Sequence, residues 1–166
     1  MGFRLNVDGK DKIEFGETVL TAVQFLSNTP SGSKGAGRGR DGLNLKEIDY
    51  NVPGSGNARA TDIGLGVKIW GRINFSLKAE IADATVTLAK WALQDSSVEE
   101  AYRKATIQVV ASGQVVREYT LPNAFIVEYS EDLDDETGVG HFYVHLRQKK
   151  DLNTKVELKG GFEAGK

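Results

Sequence analysis

The sequence predicts a mainly β protein: a β-barrel or two-sheet sandwich with one flanking α-helix and a long Gly-rich loop insertion. Three observations predict it. Period-two alternation of apolar and polar residues dominates the chain, a single stretch at 81–94 switches to helical spacing, and residues 29–60 carry no sustained period at all. Closing so many strands into a barrel would remove exposed sheet edges.

The elements follow in order. Phe3, Leu5 and Val7 alternate with Arg4, Asn6 and Asp8, and Asp8-Gly9 is a favoured hairpin turn. Between Asp62 and Lys78, residues Ile63, Leu65, Val67, Ile69, Ile73, Phe75 and Leu77 share one face, interrupted by Gly71. That run is long for one strand, so a bend or bulge is expected at Gly71. In the helical stretch Ile81, Ala84, Leu88 and Trp91 form an apolar stripe opposite Asp83, Thr87, Lys90 and Gln94. Thr85-Val86-Thr87 lowers its intrinsic propensity, so packing must hold it. Ser97-Val98-Glu99-Glu100 reads as a capping box opening a short turn. Further strands are predicted at 106–111, 115–121, 124–130 and 139–148, with a short one near 156–158, and Ser112-Gly113 as a tight hairpin. In the 139–148 strand, Phe142, Val144 and Leu146 should face inward while His141, Tyr143, His145 and Arg147 face out.

With 166 residues, 40% hydrophobic and 27% charged, the chain suits a single globular domain over 1–166. An insertion at about 31–56 and a short flexible tail at about 160–166 are expected. A net charge of −2 predicts no wholesale attraction to nucleic acid or to acidic membranes. The absence of cysteine excludes disulfides, thiolate zinc sites and a cysteine nucleophile, and fits a reducing cytoplasm. The start of the chain reads as a strand rather than as a secretory leader, and no apolar run approaches membrane-spanning length. Membrane insertion is therefore not expected.

Each chemical motif has a plainer reading. Gly37–Gly42 spells G-x-G-x-x-G, but no strand-to-helix context surrounds it, so an inserted glycine-rich loop explains it better than a phosphate cradle. Lys34, Arg38 and Arg40 lack the interleaved aromatics on which bases stack. His141 and His145 would sit about 13 Å apart on one strand, too far for one metal ion. Glu131, Asp132, Asp134, Asp135 and Glu136 lack the ligand spacing of a calcium loop and read as a solvated hairpin tip or an electrostatic contact. No nucleophile elbow or zinc-protease motif is present. Catalytic, metal and cofactor sites are all expected to be absent, and a metal-dependent hydrolase is disfavoured.

A set of scattered motifs carries a resemblance. Asn57-Ala58-Arg59-Ala60-Thr61-Asp62 precedes the alternating strand, and Leu88-Ala89-Lys90-Trp91-Ala92-Leu93, Ala101-Tyr102-Arg103-Lys104 and Gly113-Gln114-Val115-Val116-Arg117-Glu118-Tyr119 follow it. Pro122-Asn123-Ala124-Phe125 and Arg147-Gln148-Lys149-Lys150-Asp151 complete the series. Together they resemble the tube proteins of contractile injection systems, which include phage tail-tube proteins and the haemolysin-coregulated tube protein of type VI secretion. The series is most similar to a bacterial group labelled "membrane-associated protease", although nothing in these residues supports a protease. In the relatives a Thr-Pro pair like Thr29-Pro30 lies almost directly before Asn-Ala-Arg; here residues 31–56 are inserted between them.

The resemblance implies a barrel or sandwich flanked by a helix, hexameric rings stacked into a hollow tube, and no cofactor. It implies a surrounding sheath, baseplate and spike partners, and a lumen through which cargo or DNA could pass. Assembly would take place in the cytoplasm before incorporation into a virion or injection particle. Lys34, Arg38, Arg40 and Arg59 of one ring are expected to face Asp132, Asp134, Asp135 and Glu136 of the next. The alternative reading is a monomeric β-barrel module that binds protein or carbohydrate.

Overall fold

The computed structural model describes residues 1–28, 64–73 and 84–165. The elements in chain order are β1 (Gly2–Asp8), β2 (Ile13–Phe15), β3 (Leu20–Asn28), β4 (Gly64–Ile73), α1 (Ala84–Ala92), β5 (Arg103–Ala111), β6 (Gln114–Asp134), β7 (Val139–Gln148) and β8 (Glu157–Gly160). All pairings are antiparallel, in the order β2-β1-β5-β6-β7-β4-β3, with β8 added on β6. The Gly-rich insertion at 31–56 lies outside the described residues.

β6 organises the molecule. Sequence reading divides it at Pro122-Asn123, yet it runs unbroken for 21 residues. Its first half pairs with β5 and its second half with β7, the exchange falling at Ala124, which faces both Arg103 and Gln148. Pro122 costs no ladder bond there because the β5 register shifts between Arg103 and Ala105. The Asn123 amide donates to Gln148 Oε1 at 3.2 Å, and its carbonyl accepts from the Lys149 amide at 3.0 Å. The backbone is thus satisfied through the corner.

One layer comprises β2-β1-β5 with the first half of β6; the other comprises the second half of β6 with β7-β4-β3. The two layers face each other. Phe15 on β2 meets Phe142 on β7 at a ring separation of 5.3 Å, and Phe25 on β3 stacks on Tyr119 of β6 at 4.8 Å. The core between them joins Leu5, Val7, Ile107 and Leu121 to Val67, Ile69, Val144 and Leu146. Leu5, Val7, Val67, Ile69, Val144 and Leu146 lie on the faces that the alternation groups together.

Gly71 shows why a long alternating strand needs a gap. A Cβ there would run into the Phe142 ring. The irregularity expected at Gly71 falls in its partner strand, between Leu20 and Ala22.

Helix α1 packs through Thr85, Leu88 and Trp91, so a threonine joins the buried face. Trp91 Nε1 donates to the Ala101 carbonyl at 2.8 Å. The turn at Glu99–Ala101 forms, but not through a capping box: no side chain caps it, and Asp95 Oδ1 instead accepts from the Ser97 amide at 2.8 Å. A shorter side chain two residues upstream wins because the bond is local. The Ser112-Gly113 hairpin is present, with positive φ at both residues.

Candidate subunit interface

The acidic residues gather on the β6–β7 hairpin. Asp132 stands opposite His141 and Asp134 opposite Val139, so the sheet delivers them to its far end. Asp134 has a second role. Its Oδ1 accepts from the Glu136 amide at 3.0 Å and its Oδ2 from the Thr137 hydroxyl at 2.9 Å, while the Gly138 amide closes on the Asp134 carbonyl at 3.0 Å. This residue shapes the turn, and Asp135 and Glu136 project from it exposed. Glu131 Oε1 accepts from the Tyr129 hydroxyl at 2.6 Å. Burial first, and then this carboxylate, push the phenol of Tyr129 well above its ordinary value.

Lys34, Arg38, Arg40 and Arg59, the expected basic counterparts, fall outside the described residues. Where the flanking strands stand is defined. Asn28 and Gly64 pair at one end of the β3–β4 ladder, next to Gly66 opposite Arg147, whereas Ile73 pairs with Gly140 at the other end. Gly140 and Arg147 are seven steps apart on β7, roughly 24 Å. The acidic turn and the point where β3 ends and β4 begins therefore occupy opposite poles of one sheet.

The structure adds a basic segment that sequence reading did not single out. Arg147, Lys149, Lys150, Lys155 and Lys159 fall between the end of β7 and the end of β8, with only Asp151 and Glu157 among them. Lys149 lies 5.0 Å from the Tyr102 ring centroid. The signal was legible as a charge run: no Lys or Arg occurs between Arg117 and Arg147.

Two backbone edges accompany these charges. Ala124 pairs with β5 on one flank of β6 and β7 on the other. β8 pairs with residues 117–120, which β5 also holds, so β7 and β8 lie in succession along the same flank. The opposite flank of β6 is paired only as far as Ala124; over 125–134 it is an edge among the described residues. Among the described residues β8 likewise pairs with β6 alone.

On the outward face of the second layer, cross-strand rows set Asp132, His141 and Arg72 side by side, then Ser130, Tyr143 and Trp70, then Glu128, His145 and Lys68. Trp70 and Tyr143 meet at a ring separation of 5.3 Å. Burial and the neighbouring Glu128 push the Tyr143 phenol up to about 12. Burial, Lys68 and Arg147 push His145 down to about 4, against the opposing pull of Glu128. His141 and His145 share this face as predicted, His141 exposed and His145 half-buried. Among the described residues no cluster of three or more His, Asp or Glu could hold a metal ion, and no helix is long and apolar enough to cross a membrane.

No family model matches the chain, and no curated protein does. Solved structures do. Hcp1 from Flavobacterium johnsoniae aligns with 97% of each chain at 14% identity and a TM-score of 0.52. A chain of the anti-feeding prophage baseplate, solved with 6-fold symmetrisation, covers 96% of this chain and 93% of its own at 11% identity and a TM-score of 0.51. Nearly end to end in both cases, the folded sheet with α1, the one α-helix among the described residues, shares the fold of these two chains.

Proposed function

We propose that the chain is a structural subunit that closes into rings, hexameric by analogy, and stacks them into the inner tube of a contractile phage-tail-like or secretion particle. It would work by assembly, without catalysis or a cofactor. The observation that carries this reading is a sheet that shares the fold of Hcp1 and of a baseplate chain and that, among the described residues, leaves several strand edges unpaired, the second half of β6 included. A ten-residue edge left unpaired among the described residues invites another strand, and a rotational repeat satisfies every copy at once.

Stacking has a matching polarity. The acidic turn at one pole, with Asp135 and Glu136 outermost, would meet the basic residues of the next ring, Lys34, Arg38, Arg40 and Arg59. Sheath, baseplate and spike proteins would be the outer partners, and cargo or DNA would pass through the lumen. Assembly would begin in the cytoplasm and end in an extracellular particle or virion.

Light scattering after size exclusion, followed by negative-stain microscopy, tests the reading. Annular particles that pile into tubes support it. Monomers at every concentration overturn it.

A further inference from the structure

The outward face of the second layer is ordered by charge as well as by row. Asp132, His141 and Arg72 form one row, and Glu128, His145 and Lys68 form another. Each sets a carboxylate on β6, an imidazole on β7 and a cation on β4. The row between them holds Ser130, Tyr143 and Trp70, and β3 places only the small Ala22 beside the indole. Two half-buried aromatic rings thus lie between polar rows whose acceptors stand at one end and whose donors stand at the other, about 10 Å apart across three strands. On the Arg72 side of Trp70 the surface sinks into a cavity of about 330 Å³, lined among the described residues by Thr21, Trp70, Gly71, Arg72, His141 and Phe142. Thr21 sits at the β3 irregularity, and its hydroxyl donates to the Trp70 carbonyl at 3.2 Å. An aromatic wall with a few polar groups is the usual lining of a small-molecule site, and this volume is at the small end for one.

We infer that this cavity seats one neutral pyranose sugar unit. Such a sugar carries hydroxyls that both donate and accept, set around a ring with an apolar C–H face. Trp70 offers a broad apolar surface to that face. Arg72 only donates, an ionised Asp132 only accepts, and His141 between them can do either. An anion would meet Asp132 and the acidic turn beyond it, and a cation would meet Arg72, so the mixed row selects against both. The site does not depend on the ring reading. In a ring, however, every copy would present the same seat, and a polysaccharide would be held by several weak contacts at once.

Tryptophan emission makes the test direct. The chain has two tryptophans, and Trp91 is 2% exposed with its indole N–H on the Ala101 carbonyl, so a surface ligand is reported by Trp70. Methyl β-glucoside or methyl β-galactoside, titrated into the full chain, should change the emission and saturate in the millimolar range. Glycerol, which has hydroxyls but no ring face, should not. Trp70→Phe should abolish the response. Arg72→Gln and Asp132→Asn, both at exposed positions, should each raise the apparent Kd several-fold. Circular dichroism verifies that each variant is folded. No saturable response to either glycoside, a response matched by glycerol, or one that both polar variants leave unchanged would overturn the site. Size exclusion of the same samples reads assembly separately: rings that form without sugar binding overturn this site alone, and monomers that bind sugar overturn the tube reading alone.

Discussion

Arg103 is 3% exposed, an unusual place for a cation. Its guanidinium carbon lies 5.2 Å from the centre of the Trp91 ring. Its nitrogens donate to the Glu100 and Asp11 carbonyls, each at 3.4 Å, and to Gln94 Oε1 at 3.3 Å. Burial lowers its pKa, while Asp11 and Glu100 pull the other way. One side chain thus ties the β1–β2 hairpin, the end of α1 and the start of β5. Arg103→Met keeps the stem but orphans those acceptors, and a loss of about 1–3 kcal/mol is expected by urea unfolding. Gly71→Ala should cost a similar amount, about 1–3 kcal/mol, because the added methyl displaces the Phe142 ring.

His145 makes a pH prediction with a definite sign. Its Nε2 is buried without a hydrogen-bond partner among the described residues, and its folded pKa of about 4 lies below the ordinary imidazole value of 6.5. The unfolded chain therefore binds the proton more readily, so the stabilising contribution is present above pH 6.5 and is lost as pH falls towards 4. Melting temperature followed over that window should fall less steeply in His145→Gln than in the parent.

At the scale of elements, β6 and its corner matter most. Gln148 is 2% exposed and spends its amide on the bend, accepting from Asn123 and donating to the Lys149 carbonyl at 3.3 Å. Gln148→Leu would fill the space yet leave the Asn123 amide without that acceptor. A loss of about 1–3 kcal/mol with an unchanged denaturant slope is the expected outcome.

The corner also explains what was legible in the sequence. Alternation located β1, β4, β5 and β7 because each has one face on the core, and positive-φ residues marked the Ser112-Gly113 hairpin. Pro122 was misread as a strand end because proline disrupts a ladder only where its missing N–H is required, and a register shift removes that requirement. Ser97 was misread as a cap because Asp95 competes locally. The acidic turn was visible as composition. The flank of β6 left unpaired among the described residues was not, because an edge is defined by which strands are absent from beside it, and no single segment encodes that.

For the whole molecule, the charge distribution predicts how assembly responds to solution conditions. In the proposed assembly an acidic turn and a basic segment at separate sites would attract between copies, and exposed pairs of this kind weaken as salt rises. Ring or tube formation should decline between about 0.05 and 0.5 M sodium chloride, read by sedimentation. Asp135→Lys with Glu136→Lys should reduce stacking more than ring closure, because both project from the turn. Asp134 is a poor probe of the same contact, since its carboxylate builds the turn itself. Its replacement should perturb both steps.

The 21-residue strand that belongs to both layers has a mechanical consequence. A force applied along its length meets neighbours laid along the pull, β5 over the first half and β7 over the second, so many bonds must break together instead of peeling open one after another. Stretched along that axis, the protein should yield late and abruptly.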